Sequence, residues 1–157
     1  MPRYRGYSDL MIYRAINGQT GKKTLVFLPK GKVNSDVYCS KALTALAQLN
    51  DLADEPICQH DNARPHDCAA TRVVIDEMDL VFIKWPANSP DLNPIENLWF
   101  ILKDRVRRHR PKSLDELKYY IQLEWDKITE EDIKKLVKTM QKRIRAVIAN
   151  NGGHCKY

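Results

Sequence analysis

Residues 56–86, PICQHDNARPHDCAATRVVIDEMDLVFIKWP, decide the fold class of this chain. PICQHD predicts a short strand that ends at Asp61, the segment from about Pro65 to Glu77 predicts a helix, and LVFIKWP predicts a second strand. This second strand is a continuous apolar run, which is typical of a parallel strand covered on both faces. The three elements therefore predict a βαβ unit within an α/β fold.

The residues before this unit predict a hairpin followed by a helix. DLMIYRAI (9–16) and TLVFLP (24–29) have the composition of two strands, and the turn-forming NGQTGKK joins them. Ser35 or Asp36 then caps a helix through VYCSKALTALAQLN (37–50).

The residues after the unit predict three helices, which begin at Asn93, Ser113 and Thr129. Pro94 and Glu96 occupy N1 and N3 of the first helix. The third helix runs without a break to NNGGH (150–154), with these residues inward: Ile133, Leu136, Val137, Met140, Ile144 and Val147. We therefore expect one domain over residues 1–157, in which a mixed sheet is flanked by helices and the C-terminal third is helical.

Composition narrows the class of protein. No apolar run approaches the ~20 residues that span a bilayer, so no membrane association is expected. The N-terminus has no apolar signal-peptide core, and the four cysteines are far apart, which favours an intracellular protein with reduced thiols.

A basic segment stands out within the net charge of +6. LKDRVRRHRPK (102–112) carries six cations against a single acid: Lys103, Arg105, Arg107, Arg108, Arg110 and Lys112. The segment fits either a solvated helix face or a strip that contacts DNA phosphates, and charge alone leaves both open.

Two kinds of metal site are conceivable. Cys58, His60, His66 and Cys68 have the atom types of a zinc site, but each pair is two residues apart, unlike the usual zinc-ligand spacings. The cysteines fit small buried side chains better.

A carboxylate site is the other possibility. Asp61 ends a predicted parallel strand, where ligand sites of open α/β sheets cluster. Three prolines in WPANSPDLNPIENLWF (85–100) restrict the loop that leads to Glu96, so two carboxylates could converge on Mg²⁺. Local roles compete with this interpretation: an Asx turn for Asp61, and helix capping for Glu96.

HDNARPH (60–66) and WPANSPDLNPIENLW (85–99), with 34 residues between Asp61 and Glu96, resemble the catalytic domain of Tc1/mariner transposases. These are RNase H-like enzymes of the DDE superfamily. Two further stretches, 11–43 and 143–157, resemble the Tc1-like branch, so the resemblance covers nearly the whole chain.

The resemblance implies DNA cleavage and strand transfer with Mg²⁺ or Mn²⁺ as cofactor. In the family, three acids bind two ions, which activate the attacking oxygen and stabilise the leaving oxygen. Asp61 corresponds to the second acid and Glu96 to the third, and Asn62 and His66 are supporting residues. The resemblance also implies DNA as partner and a nuclear location.

The chain departs from the family pattern in its N-terminal part. The family's first acid lies on a strand upstream of the stretch that matches residues 10–28, and DNA-binding helix-turn-helix modules precede that strand. Asp9 is the one acid near this end, and only 51 residues separate it from Asp61. We therefore expect a domain that keeps its fold but cleaves weakly, unless another chain supplies the strand. The alternative is a non-catalytic remnant that binds DNA or self-associates, and an open sheet edge predicts a homo-oligomer.

Overall fold

The computed structural model describes residues 10–31, 33–61, 63–86 and 89–153. The chain divides into two compact units, of which the first comprises residues 1–17 and 23–87 and the second comprises residues 18–22 and 88–157. The prediction of a single domain stays a prediction. Within the described ranges, no helix is both long and apolar enough to cross a bilayer.

The first unit begins with the predicted hairpin. β1 (Ile12–Ile16) pairs antiparallel with β2 (Lys23–Phe27), with Tyr13 opposite Val26. The pairing confirms the hairpin.

A three-part helix follows the hairpin. It consists of α1 (Ser35–Val37), a π-helical segment (Tyr38–Leu43) and α2 (Thr44–Asn50). The cap is Asn34, whose side chain accepts a hydrogen bond from Val37 N at 3.0 Å. The prediction of Ser35 or Asp36 as cap was therefore wrong, because the extended backbone of Asn34 carries its amide oxygen to the first turn.

The βαβ unit is present, with shorter strands than predicted. β3 (Ile57–Cys58) pairs in parallel with β4 (Val81–Phe82), and α3 (Ala69–Glu77) connects them after a 3₁₀ turn (Arg64–His66). Val81 is 57% exposed, so β4 is not covered on both faces as predicted. Neighbouring side chains of a strand point to opposite faces, and only one face meets the core.

The core of the first unit joins the hairpin, the helix and the βαβ strands. Its buried members are Ala15, Tyr38, Ala42, Leu43, Leu46, Leu49, Cys58 and Leu80. This packing sets the position of the segment that leaves β3 and carries Asp61.

The second unit is helical, and its three predicted helix starts are confirmed. The Asn93, Ser113 and Thr129 side chains accept backbone hydrogen bonds at the starts of α4 (Pro94–His109), α5 (Leu114–Asp126) and α6 (Glu130–Lys138). The inward faces bury Leu98, Leu102, Val106, Leu117, Ile121, Trp125 and Ile133.

The third predicted helix is in fact two helices. α6 ends before Thr139, and α7 spans Met140–Ala149. The Thr139 hydroxyl donates to the Leu136 carbonyl at 2.6 Å, a local bond that competes with continued helix. Ile144 is 44% exposed rather than inward, because the break changes the face that α7 presents.

Candidate active site

Asp61 lies three residues beyond Cys58, the last residue of β3, and its side chain is 69% exposed. The backbone N–H of Ala63 donates to Asp61 Oδ1 at 3.2 Å, which forms an Asx turn. His66 Nδ1 lies 2.6 Å from the same oxygen and 3.2 Å from the Asp61 carbonyl oxygen. Two partners therefore set the direction of this carboxylate. Asn62 and Asp9 lie outside the described residues.

The His66 ring belongs to an aromatic cluster in the first unit. Its centroid is 4.2 Å from that of Tyr38 and 5.3 Å from that of His60, which in turn packs 4.2 Å from Phe82. Tyr38 Oη lies 3.4 Å from His60 Nδ1. These contacts restrict the ring that holds Asp61. Sequence reasoning missed Tyr38 and Phe82, because no local spacing connects either residue to Asp61.

Burial controls the protonation of the cluster. Burial raises the pKa of Tyr38 far above its usual value, and nearby Tyr13 and Asp61 add to this, so the phenol stays neutral. Burial and then the neighbouring His66 lower the pKa of His60, which favours its neutral form. The contact between Tyr38 Oη and His60 Nδ1 therefore joins two uncharged groups in the ordinary pH range.

The two cysteines of the hypothetical zinc site have other partners. Cys58 is 5% exposed, accepts a hydrogen bond from Asn50 Nδ2 at 2.9 Å, and has a thiol pKa raised by burial. Cys68 Sγ lies 3.2 Å from Thr71 Oγ1. In the described part of the chain, no three His, Cys, Asp or Glu side chains form a group that could hold a metal. Cys58 behaves as a small buried side chain.

Glu96 is exposed in the first turn of α4, in the second unit. The preceding loop forms a 3₁₀ turn (Pro90–Leu92) that buried Arg143 anchors from α7, since Arg143 Nη1 donates to the Asp91 carbonyl at 2.9 Å. Asn93 then caps α4 through Ile95 N at 3.3 Å. The anchor and the cap define where Glu96 begins its helix. Arg143 escaped sequence reasoning because it lies 52 residues after Asp91.

The carboxylates of Asp61 and Glu96 each fit a divalent cation chemically. Both are exposed, and anionic oxygens are the ligands that Mg²⁺ and Mn²⁺ take in proteins.

The basic segment follows α4 to its end. The Lys103 ammonium lies 4.6 Å from the centre of the Trp99 ring. Arg107 and Arg108 both bond to Asp104, at 2.8 and 2.5 Å, and Arg108 is 76% exposed. Arg110 ends α4 in the left-handed conformation, and Lys112 follows it in the loop. The exposed cations fit both a solvated helix face and a strip that contacts DNA phosphates, the two alternatives that the sequence leaves open.

Comparison with known proteins identifies the relatives of the chain. The family model of the DDE superfamily endonucleases matches residues 8–118. The Tc3 transposase of Caenorhabditis elegans is 37% identical over 101 residues, which are 63% of this chain and 31% of that protein. The chain matches only about a third of the length of its curated relatives.

Two solved structures share the fold. One is the Mos1 transposase catalytic domain with raltegravir and manganese, with a TM-score of 0.82 and 20% identity over 94% of this chain and 78% of that chain. The other is the Mos1 strand transfer complex, with a TM-score of 0.76 and 19% identity over 99% of this chain and 47% of that chain. These matches confirm the expected RNase H-like α/β fold.

Proposed function

The chain belongs to the DDE superfamily endonucleases, and from this membership we propose that it takes part in the cleavage and strand transfer of DNA during transposition. The observation that carries the proposal is the anchored carboxylate of Asp61. A backbone N–H and the His66 ring hold one of its oxygens beyond a parallel strand, while the side chain stays 69% exposed. An exposed acid with a preset direction suits a metal ligand.

Asp61 and Glu96 are the proposed ligands of Mg²⁺ or Mn²⁺. Bound ions would activate a water or a 3′-hydroxyl for attack on phosphorus and stabilise the oxygen that leaves. His66 orients Asp61, and the cluster around Tyr38 restricts His66 in turn. Asn62 is a second proposed supporting residue on the strength of the resemblance.

Manganese binding and plasmid nicking test this assignment. We expect the wild-type chain to bind Mn²⁺ in titration calorimetry, and Asp61→Asn and Glu96→Gln to weaken that binding. Asp67→Asn is the control for Asp61, since Asp67 is a nearby exposed acid paired with Arg72. Glu116→Gln is the control for Glu96, since Glu116 occupies the same N3 position of α5.

The nicking assay uses supercoiled plasmid with either metal. We propose that the 157-residue chain alone nicks weakly, because within the sequence given only Asp61 and Glu96 correspond to acids of the family. Residual nicking should disappear in both variants and persist in both controls. Metal binding and nicking that survive Asp61→Asn and Glu96→Gln would refute the site.

One observation favours a non-catalytic alternative. The Asx turn gives Asp61 Oδ1 a local structural role that needs no metal. In this alternative the chain binds DNA or self-associates without cutting, and Mn²⁺ binds no better to wild type than to a chain that carries both Asp61→Asn and Glu96→Gln.

We also propose that both units belong to one domain, that the protein is a nuclear homo-oligomer, and that DNA is its partner. Each two-stranded sheet of the described residues has edges that another chain could pair with. Sedimentation equilibrium measures the oligomeric state, and a monomer at micromolar concentration would contradict it.

A further inference from the structure

The second unit contains a shallow, open depression of about 490 Å³, called the cleft below, on the side of α4 that faces the end of α5. It is lined by Arg105, Arg108, His109, Glu124 and Lys127. The three α4 residues share one helix face, because positions three and four apart are neighbours on a helix surface. The cleft thus gathers three permanent positive charges around one carboxylate.

Glu124 is the structural centre of the cleft. Its side chain is 5% exposed, and its Oε1 contacts Lys127 Nζ at 2.6 Å and His109 Nε2 at 2.8 Å. Lys127 and then His109 hold the pKa of Glu124 below its usual value, so the carboxylate is ionised. The His109 ring also stacks on Tyr120, with 4.2 Å between centroids. The base and one wall of the cleft are therefore preorganised.

Arg105 and Arg108 have N–H donors available for a ligand. Arg105 is exposed and forms no hydrogen bond or salt bridge with the described residues, although its charge helps to lower the pKa of exposed Asp132. Arg108 meets Asp104 through Nη2 at 2.5 Å, and a guanidinium carries five N–H donors, so this pair leaves it donors for a ligand. Since Lys127 and Glu124 offset each other in charge, the arginines give the cleft its positive excess.

We propose that this cleft binds a phosphate of the DNA backbone. Arg105 and Arg108 donate charge-assisted hydrogen bonds to the phosphate oxygens, and the Lys127 ammonium is the third cation. The inference rests on the proposed function, because it takes DNA as the ligand. It divides the basic segment: Arg105 and Arg108 touch DNA through the cleft, Arg107 does not, and Lys127 joins them from outside the segment.

The salt dependence of DNA binding tests the proposal. Affinity for a fluorescent duplex is measured by anisotropy at several salt concentrations, for wild type and single alanine variants. The slope of log K against log salt is negative, and each lost phosphate contact should make it less negative by roughly one. We expect this loss in Arg105→Ala and Arg108→Ala, whereas Arg107→Ala keeps the wild-type slope. Arg107 is the matched control because it also bonds to Asp104 but does not line the cleft.

Arg105→Ala is the decisive variant, because Arg105 forms no salt bridge or hydrogen bond with the described residues and its electrostatic neighbour Asp132 is exposed. Lys127→Gln removes a partner of buried Glu124. Its salt slope is therefore compared with that of wild type only if its circular dichroism spectrum is unchanged. Equal slopes for Arg105→Ala and Arg107→Ala would refute phosphate binding in the cleft. Its cations would then only stabilise the C-terminal ends of α4 and α5. Inorganic phosphate at millimolar concentration should compete for the same site. If it removes the difference in slope between wild type and Arg105→Ala, the result supports the phosphate site.

The two proposals fail in different ways. If metal binding depends on Asp61 and Glu96 while the cleft variants bind DNA like Arg107→Ala, only the cleft assignment fails. If the wild-type chain binds no duplex at low salt, the DNA partner and the cleft fail together.

Discussion

Replacing Arg143 with methionine should loosen the loop that leads to Glu96. Arg143 is 2% exposed, and its Nε and Nη1 donate to Thr139 Oγ1 and the Asp91 carbonyl, each at 2.9 Å. Methionine keeps most of the apolar stem but supplies no donor, so the Asp91 carbonyl loses its bond to α7.

The magnitude follows from these two bonds. A hydrogen bond from a charged donor contributes about 1.5–3 kcal/mol, and removal of one partner leaves the other unsatisfied. Removing a buried charge offsets part of this loss, since burial of a guanidinium is itself unfavourable. We expect a net fall of about 2 kcal/mol in the free energy of unfolding, which corresponds to roughly 4–8 °C in Tm for a chain of this size.

The assay combines thermal unfolding with hydrogen exchange. The amides of Leu92 and Asn93, which donate within the 3₁₀ turn, should exchange faster in Arg143→Met. Arg145→Met is the control, because Arg145 is an exposed arginine on the same helix. If both variants unfold at the same temperature and exchange at the same rate, Arg143 does not anchor the loop.

Three further perturbations follow from the structure. Gly21→Ala should lower the free energy of unfolding by about 1–3 kcal/mol, because φ is 76° and a Cβ would lie 2.6 Å from the Glu130 carbonyl oxygen; Gly31→Ala, at positive φ but in open space, should lower it less in the same denaturant titration. His66→Phe keeps an aromatic ring but loses the contact with the Asp61 carboxylate, so Mn²⁺ affinity in calorimetry should fall roughly 10- to 100-fold, and an unchanged affinity would remove His66 from the site. The pKa of Glu124 is lowered in the folded state, so its contribution is present above the unfolded pKa of about 4.3 and is lost as pH falls below that value. Thermal unfolding at a series of pH values should show a smaller fall in Tm at acid pH for Glu124→Gln than for wild type. The same fall in both proteins would contradict the ion-pair assignment.

Local signals in the sequence determined the helix starts and the order of elements. Asn93, Ser113 and Thr129 each cap a helix through backbone groups no more than three residues away, so each start is decided within one turn. The hairpin and the βαβ unit follow in the same way from apolar runs and the turns between them. The family follows from two motifs that are contiguous in the sequence.

Only the tertiary structure decided which distant side chains meet. Tyr38 contacts His66, Arg143 bonds to the Asp91 carbonyl, and Glu124 joins His109 across 15 residues. It also decided that β3 and β4 are short and that the last predicted helix breaks at Thr139. Such contacts depend on how whole elements pack, and packing selects one partner among many of equal local propensity. The spacing of residues along the chain therefore does not predict these contacts.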